Sequence, residues 1–152
     1  MRLTDLLNEK AIISDLAGSH KKEVLSELCQ AVAQDEGLDP EPLLRVLLER
    51  EKLGSTGIGD GVAIPHGKSD DIGSIFVAFG RSRDGVDFES MDGQPVHLFF
   101  LILAPGDSTG AHLKVLAKVS RLLKDESFRD KLGKAQDRKA IYDLIAAKDQ
   151  DF

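Results

Sequence analysis

Residues 96–103, Val-His-Leu-Phe-Phe-Leu-Ile-Leu, narrow the folds open to this chain more than any other stretch. Successive side chains of a strand point to opposite faces, so a run that is apolar at both parities has to be covered on both sides. The run predicts a central strand with helices packed above and below it. Extended to Pro105 it is still too short to cross a bilayer, which takes roughly 20 apolar residues as a helix, and His97 interrupts it.

Helical patterns flank this strand in the sequence. Val24, Leu25, Leu28, Cys29 and Val32 recur at helical spacing, which predicts a first helix capped near Ser19 and stopped by Gly37. Asp39 and Pro40 supply a cap and a proline at the first helical position of the next helix. Leu44, Leu47 and Leu48 form its buried face, and it should run to about Lys52 with Gly54 beyond. After Pro105, the residues Leu113, Leu116, Ala117, Ser120 and Leu123 mark a third helix, with Asp107, Ser108 or Thr109 as its cap. Two shorter helices are expected over 128–132 and 138–147, the second capped by Asp137.

Further strands are predicted at 62–64 and 72–79. A small one at 86–88 lies between turns at Asp84-Gly85 and Met91-Asp92-Gly93. These segments are too closely spaced for helical crossovers, so the sheet should be mixed. The expected class is α/β: a three-layer sandwich with a central mixed β-sheet flanked by helices, one domain over residues 1–152.

Charge and cysteine usage bound the partners. The 26 acidic against 20 basic side chains leave a formal net charge of -6, which argues against nucleic acid. Cys29 is the single cysteine, sits in an apolar stripe and has no internal partner, which fits a cytoplasmic protein. The opening Met1-Arg2-Leu3-Thr4-Asp5 lacks the apolar stretch of a signal peptide, so no direct membrane insertion is expected.

The chemistry concentrates in residues 51–68, EKLGSTGIGDGVAIPHGK. His66 stands between Pro65 and Gly67. Proline stiffens the approach, and a glycine without Cβ lets another molecule come close to the imidazole. The other histidines read differently. His20 lies at a helix start and reads as a solvated residue, and His97 as a hydrogen-bonded histidine of the core. His112 falls on the first turn of the helix after Pro105. There it is either a satisfied polar residue or a neutral donor beside an anion held at the helix's positive end. Arg50, near the end of the second helix, is either an exposed charge or a bidentate grip on phosphoryl oxygens.

The glycines fit neither a phosphate-binding loop ending in Gly67-Lys68-Ser69 nor a dinucleotide fingerprint. The spacing of His66, His97 and His112 matches no zinc pattern, so neither metal nor cofactor is expected.

Glu51, Ile58-Gly59 and Val62-Ala63-Ile64-Pro65-His66-Gly67 together resemble the phosphorylation-site signature of one family. These are the second-type EIIA domains, the fructose and mannitol group, of the bacterial phosphoenolpyruvate:sugar phosphotransferase system. The resemblance extends over nearly the whole chain. The wording Gly54-Ser55-Thr56-Gly57-Ile58-Gly59 and Ile64-Pro65-His66-Gly67-Lys68 is most similar to the nitrogen-regulatory branch, and the absence of fused EIIB or EIIC segments points the same way.

The resemblance implies a mixed α/β sandwich that carries a phosphoryl group on His66, with Arg50 and His112 as supporting polar residues. Thr56 and Ser55 would either hydrogen-bond the phosphoryl group or shape the loop. The implied donor is a histidine phosphocarrier protein. The implied acceptors are regulatory targets or an EIIB of the fructose or mannitol type. A module that binds partners without onward transfer is the remaining alternative, with phosphate reversing the sign of its docking surface.

Overall fold

The computed structural model describes residues 2–151. A 3-10 turn (Leu3–Asp5) leads into β1 (Leu7–Ile13), α1 (Lys21–Glu36) and α2 (Pro40–Glu51). Three short strands follow, β2 (Gly57–Gly59), β3 (Val62–Ala63) and β4 (His66–Lys68), then two long ones, β5 (Phe76–Val86) and β6 (Val96–Ala104). The chain closes with α3 (Thr109–Leu122), α4 (Glu126–Lys134) and α5 (Arg138–Asp149).

The apolar run becomes β6 and lies inside a six-stranded sheet ordered β1-β5-β6-β3-β2, with β4 also paired to β6. The sheet is mixed: β5 runs antiparallel to β6, whereas β3 and β4 run parallel to it. From Leu98 to Leu103 the residues of β6 alternate strictly between the two faces. Leu98, Phe100 and Ile102 pack with Val115, Val119, Leu132, Ile141 and Ile145 of α3 to α5. Phe99, Leu101 and Leu103 pack with Leu25, Leu28, Leu43 and Leu47 of α1 and α2. Two helical layers thus cover the two faces, as the run requires, and each fully buried Leu or Phe contributes about 1.5–3 kcal/mol.

Helix ends follow the sequence closely. Gly37, at φ 69°, terminates α1, and the Asp39 carboxylate accepts from Glu41 N at 3.0 Å with Pro40 in the first turn of α2. Asp137 caps α5 by accepting from Ala140 N at 2.8 Å. His20, one residue past the expected Ser19, precedes α1, while Ser19 N donates to Glu23. Cys29 is fully buried, and burial pushes its thiol up to about 12.

Four features depart from the expectations. The chain begins with a strand, β1, rather than with helices. Its register with β5 shifts between Leu7 and Ile12, so exposed Asn8, Glu9 and Lys10 break the alternation that would have marked it. β5 starts four residues later than 72 and runs through Asp84-Gly85 to Val86, taking in the first residue of the expected small strand. The turn-like dipeptide sits in a register shift between Arg81 and Val86, with Gly85 N donating to Ser82 Oγ at 3.0 Å. In α3 the buried face is His112, Val115, Lys118, Val119 and Leu122, displaced from the expected stripe, and Leu113 is 59 % exposed. Finally, the chain resumes pairing after Pro65 as β4, a strand too short for periodicity to reveal.

Candidate active site

Pro65 creates the site by interrupting a strand. Ile64 N continues the antiparallel register of β3 with β2 and donates to Thr56 O at 3.0 Å, while Pro65 O pairs on the other side with β6 and accepts from Ile102 N at 2.9 Å. Pairing with β6 then places His66 opposite Ile102, Gly67 opposite Leu103 and Lys68 opposite Ala104. Since Ile102 faces the layer of α3 to α5 and Leu103 the layer of α1 and α2, His66 and Lys68 face α3 while Gly67 faces α2.

The role first given to Gly67 is therefore corrected. A Cβ on Gly67 would stand 2.5 Å from Val46 Cγ1, so its bareness admits α2 on the side of the sheet away from the imidazole.

On the α3 side two of the expected residues meet. The rings of His66 and His112 lie with centroids 5.6 Å apart and planes inclined at 72°. His66 is half-buried, and its Nδ1 lies 2.8 Å from the Ile64 carbonyl oxygen. A carbonyl only accepts, so Nδ1 carries the proton and the lone pair of the neutral ring is on Nε2.

His112 is only 6 % exposed, and its Nε2 has no hydrogen-bond partner among the described residues. Its proton affinity is held below the ordinary histidine value, first by burial and then by the neighbouring His66 and Lys68. Its backbone N donates to Ser108 O at 2.8 Å, fixing the ring on the first turn of α3.

Arg50 lies in the last turn of α2, and Ser55 and Thr56 in the loop that follows it. Arg50 Nη1 donates to Gly54 O at 3.0 Å. Ser55 Oγ donates to Phe88 O at 3.3 Å and accepts from Gly57 N at 3.0 Å. Thr56 is 4 % exposed and donates its hydroxyl proton to Glu51 Oε2. The Ser55 hydroxyl proton is thus engaged by Phe88 O and that of Thr56 by Glu51 Oε2.

His97 holds Ser82 O from Nδ1 at 2.9 Å, as a hydrogen-bonded histidine of the sheet, and His20 is exposed. No group of three or more His, Cys, Asp or Glu that could hold a metal ion is gathered among the described residues.

Residues 5–148 match the family described as phosphoenolpyruvate-dependent sugar phosphotransferase system, EIIA 2. The chain belongs to that EIIA family. It is 47% identical over 146 residues to the nitrogen regulatory protein of Bradyrhizobium diazoefficiens, covering 96% of this chain and 95% of that protein. It is also 40% identical over 151 residues to the fructose-specific EIIABC component of Bacillus subtilis, of which it spans only 24%. Among solved structures, the nitrogen regulatory protein IIA-Ntr of Neisseria meningitidis superimposes with a TM-score of 0.88 at 34% identity, covering 94% of this chain and 98% of that one. The chain is thus an EIIA component of the phosphotransferase system, with relatives among both nitrogen-regulatory and sugar-specific members. None of the helices among its described residues is long and apolar enough to cross a membrane.

Sequence reasoning gave no role to Lys68, yet in this EIIA its Nζ donates to Thr109 Oγ1 at 2.6 Å, beside His112. The signal was present: two residues after His66 on a strand means the same face. Glu51 entered only as a letter of the signature, and Lys21 not at all. They meet at 3.2 Å, an ion pair between helices that no local pattern announces.

Proposed function

We propose that His66 accepts a phosphoryl group on Nε2 from the phosphohistidine of a histidine phosphocarrier protein and passes it on, acting in the cytoplasm. The observation that carries this reading is the pairing of two imidazoles in complementary states. His66 has its Nδ1 engaged by Ile64 O, and the adjacent His112 has a buried Nε2 without a hydrogen-bond partner among the described residues.

In the step proposed, the Nε2 lone pair of His66 attacks phosphorus in line as the donor's P–N bond breaks. The donor ring, protonated on its other nitrogen, leaves as neutral imidazole, and His66 becomes a phosphoimidazolium that keeps its proton on Nδ1. No proton changes hands. The hydrogen bond to Ile64 O strengthens as the ring gains positive charge. His112, Lys68 and the first turn of α3 face the arriving oxygens with donors and positive potential. Arg50 joins them by exchanging Gly54 O for a phosphoryl oxygen.

Regulation is the output favoured by the relationship to nitrogen regulatory proteins over nearly the full length of both chains. Transfer to an EIIB is the second reading, favoured by the 40% identity to the fructose-specific component.

Intact-mass measurement after incubation with phosphoenolpyruvate, the first enzyme of the relay and a histidine phosphocarrier tests the proposal. One acid-labile phosphoryl adduct is expected, absent from His66→Ala. A folded protein that takes no adduct from several cognate donors would remove the carrier function and leave a module that only binds.

A further inference from the structure

Behind His66, hydrogen bonds lead from residue to residue as far as α1. His66 Nδ1 meets Ile64 O at 2.8 Å, and the N–H of Ile64 donates to Thr56 O at 3.0 Å. Thr56 N donates to both oxygens of Glu51, at 3.3 and 3.1 Å, and the Thr56 hydroxyl donates to Oε2. Glu51 Oε1 lies 3.2 Å from Lys21 Nζ, which stands 5.1 Å from the centre of the Phe88 ring.

The polarity of this series is forced from its far end. Glu51 is 8 % exposed, and a carboxylate withdrawn from water needs several donors to offset its desolvation. As a carboxylate it accepts only, so the Thr56 N–H and O–H both have to point at it. That anchors Thr56 from its amide and its hydroxyl, and the carbonyl of the same residue accepts the N–H of Ile64. With Ile64 N held, and with Pro65 O paired to Ile102 N at 2.9 Å, the intervening carbonyl of Ile64 is left facing the imidazole. An acceptor there dictates which ring nitrogen carries the proton.

We propose that Glu51, acting through Thr56 and the backbone of Ile64, is the positioning residue that keeps His66 in the Nδ1–H tautomer with Nε2 free, and that Lys21 is its counter-ion. This role rests on the phosphocarrier reading for its effect on transfer rate, but not for its effect on the tautomer. It also gives Thr56 its place: the hydroxyl serves the histidine from behind.

The test uses the full chain with Glu51→Gln, Thr56→Val and Thr56→Ser. Glutamine keeps the shape but turns an amide donor toward Lys21 or Thr56; valine removes the hydroxyl alone; serine retains it. The first readout is the pair of His66 ring nitrogen-15 shifts, which report the tautomer directly. A single Nδ1–H form is expected in the wild type and in Thr56→Ser, and a mixture of tautomers in Glu51→Gln and Thr56→Val. The second readout is phosphoryl uptake from a phosphorylated histidine phosphocarrier. The rate at saturating donor should fall on the order of tenfold in Glu51→Gln and Thr56→Val, with half-saturation unchanged.

A wild-type tautomer in both of those variants overturns the proposal whatever the rate does. A loss carried by half-saturation alone, with the tautomer intact, overturns it too and assigns Glu51 to docking. If the wild type takes no phosphoryl group, the carrier reading fails while the nitrogen shifts still decide the positioning role. If Glu51→Gln does not fold by circular dichroism, Thr56→Val decides alone.

Discussion

His112 meets His66 edge to face, with ring centroids 5.6 Å apart, and of the two it is His112 that is buried. The asymmetry separates their roles. The half-exposed ring can reach another molecule, while the buried one is held neutral by its surroundings and retains an unused nitrogen. The surroundings of His112 oppose a positive charge on its ring. A dianionic phosphoryl group on the outer ring would reverse the balance for the inner one, drawing a proton or a donated hydrogen bond toward it.

The lowered proton affinity of His112 makes stability fall with acidity in a definite window. In the unfolded chain its imidazole protonates as pH falls through about 6.5, whereas the folded ring resists until lower pH. Between those points the unfolded state binds more protons, so stability rises with pH there, and the loss on acidification saturates once the folded ring also protonates. Urea midpoints between pH 7 and pH 5 should therefore fall more steeply for the wild type than for His112→Gln. Parallel curves would mean that His112 is not the responsible group. On phosphorylation of His66, the His112 ring signals in an NMR titration should move to higher pH.

Gly67→Ala should destabilise the fold through α2 and not through the imidazole. The new methyl would meet Val46 Cγ1 at 2.5 Å, too close for any real contact, so α2 has to shift. Overpacking of this kind costs about 1–3 kcal/mol. Val46→Ala removes the clashing atom, so the double variant Gly67→Ala/Val46→Ala should regain most of the stability lost in Gly67→Ala. Chemical denaturation of the single and double variants measures the coupling; simple additivity would place the strain elsewhere.

What the sequence made legible follows from where its signals are local. β6 was readable because residues 96–103 are apolar at both parities, and α2 because Asp39 and Pro40 mark its start. β1 was not, because a register shift places Asn8, Glu9 and Lys10 in succession on an exposed edge. In α3, Leu113 and Leu116 suggested a stripe, whereas the buried face includes His112 and Lys118, polar residues that a hydrophobic pattern discounts. The site divides in the same way. His66 is announced by its neighbours in sequence, but the approach of His112 depends on which face of β4 meets which turn of α3. The Lys21–Glu51 pair depends on the packing of two helices.

One of those discounted residues carries a stability prediction. Lys118 of α3, 8 % exposed, pairs at 2.5 Å with Asp149 at the end of α5, which is 1 % exposed. Asp149→Ala removes the carboxylate and leaves the ammonium withdrawn from water, a change that costs about 3–5 kcal/mol when a buried pair is broken. Replacing both residues with apolar ones of similar volume, Lys118→Met and Asp149→Leu, should recover most of the loss. Denaturation midpoints of the three proteins check this, and an Asp149→Ala protein within 1 kcal/mol of wild type would show the pair to be well hydrated.

Lys68 yields a prediction in which one substitution changes sign with the state of His66. Its ammonium donates to Thr109 Oγ1 at 2.6 Å, at the first residue of α3, where the positive end of the helix disfavours a cation. The first turn of α3 has no acidic side chain to offset this, and Lys68 also opposes protonation of His112. In the unmodified protein Lys68→Gln relieves that repulsion. The melting temperature should rise by about 1–4 °C, and the titration of His112 should move upward. Once His66 bears a phosphoryl group, the same ammonium faces an anion and becomes favourable, so Lys68→Gln should lower the melting temperature of the phosphorylated form relative to phosphorylated wild type. Thermal melts of the four species decide it. Shifts of the same sign in both states would mean that Lys68 senses only the helix end and not the group on His66.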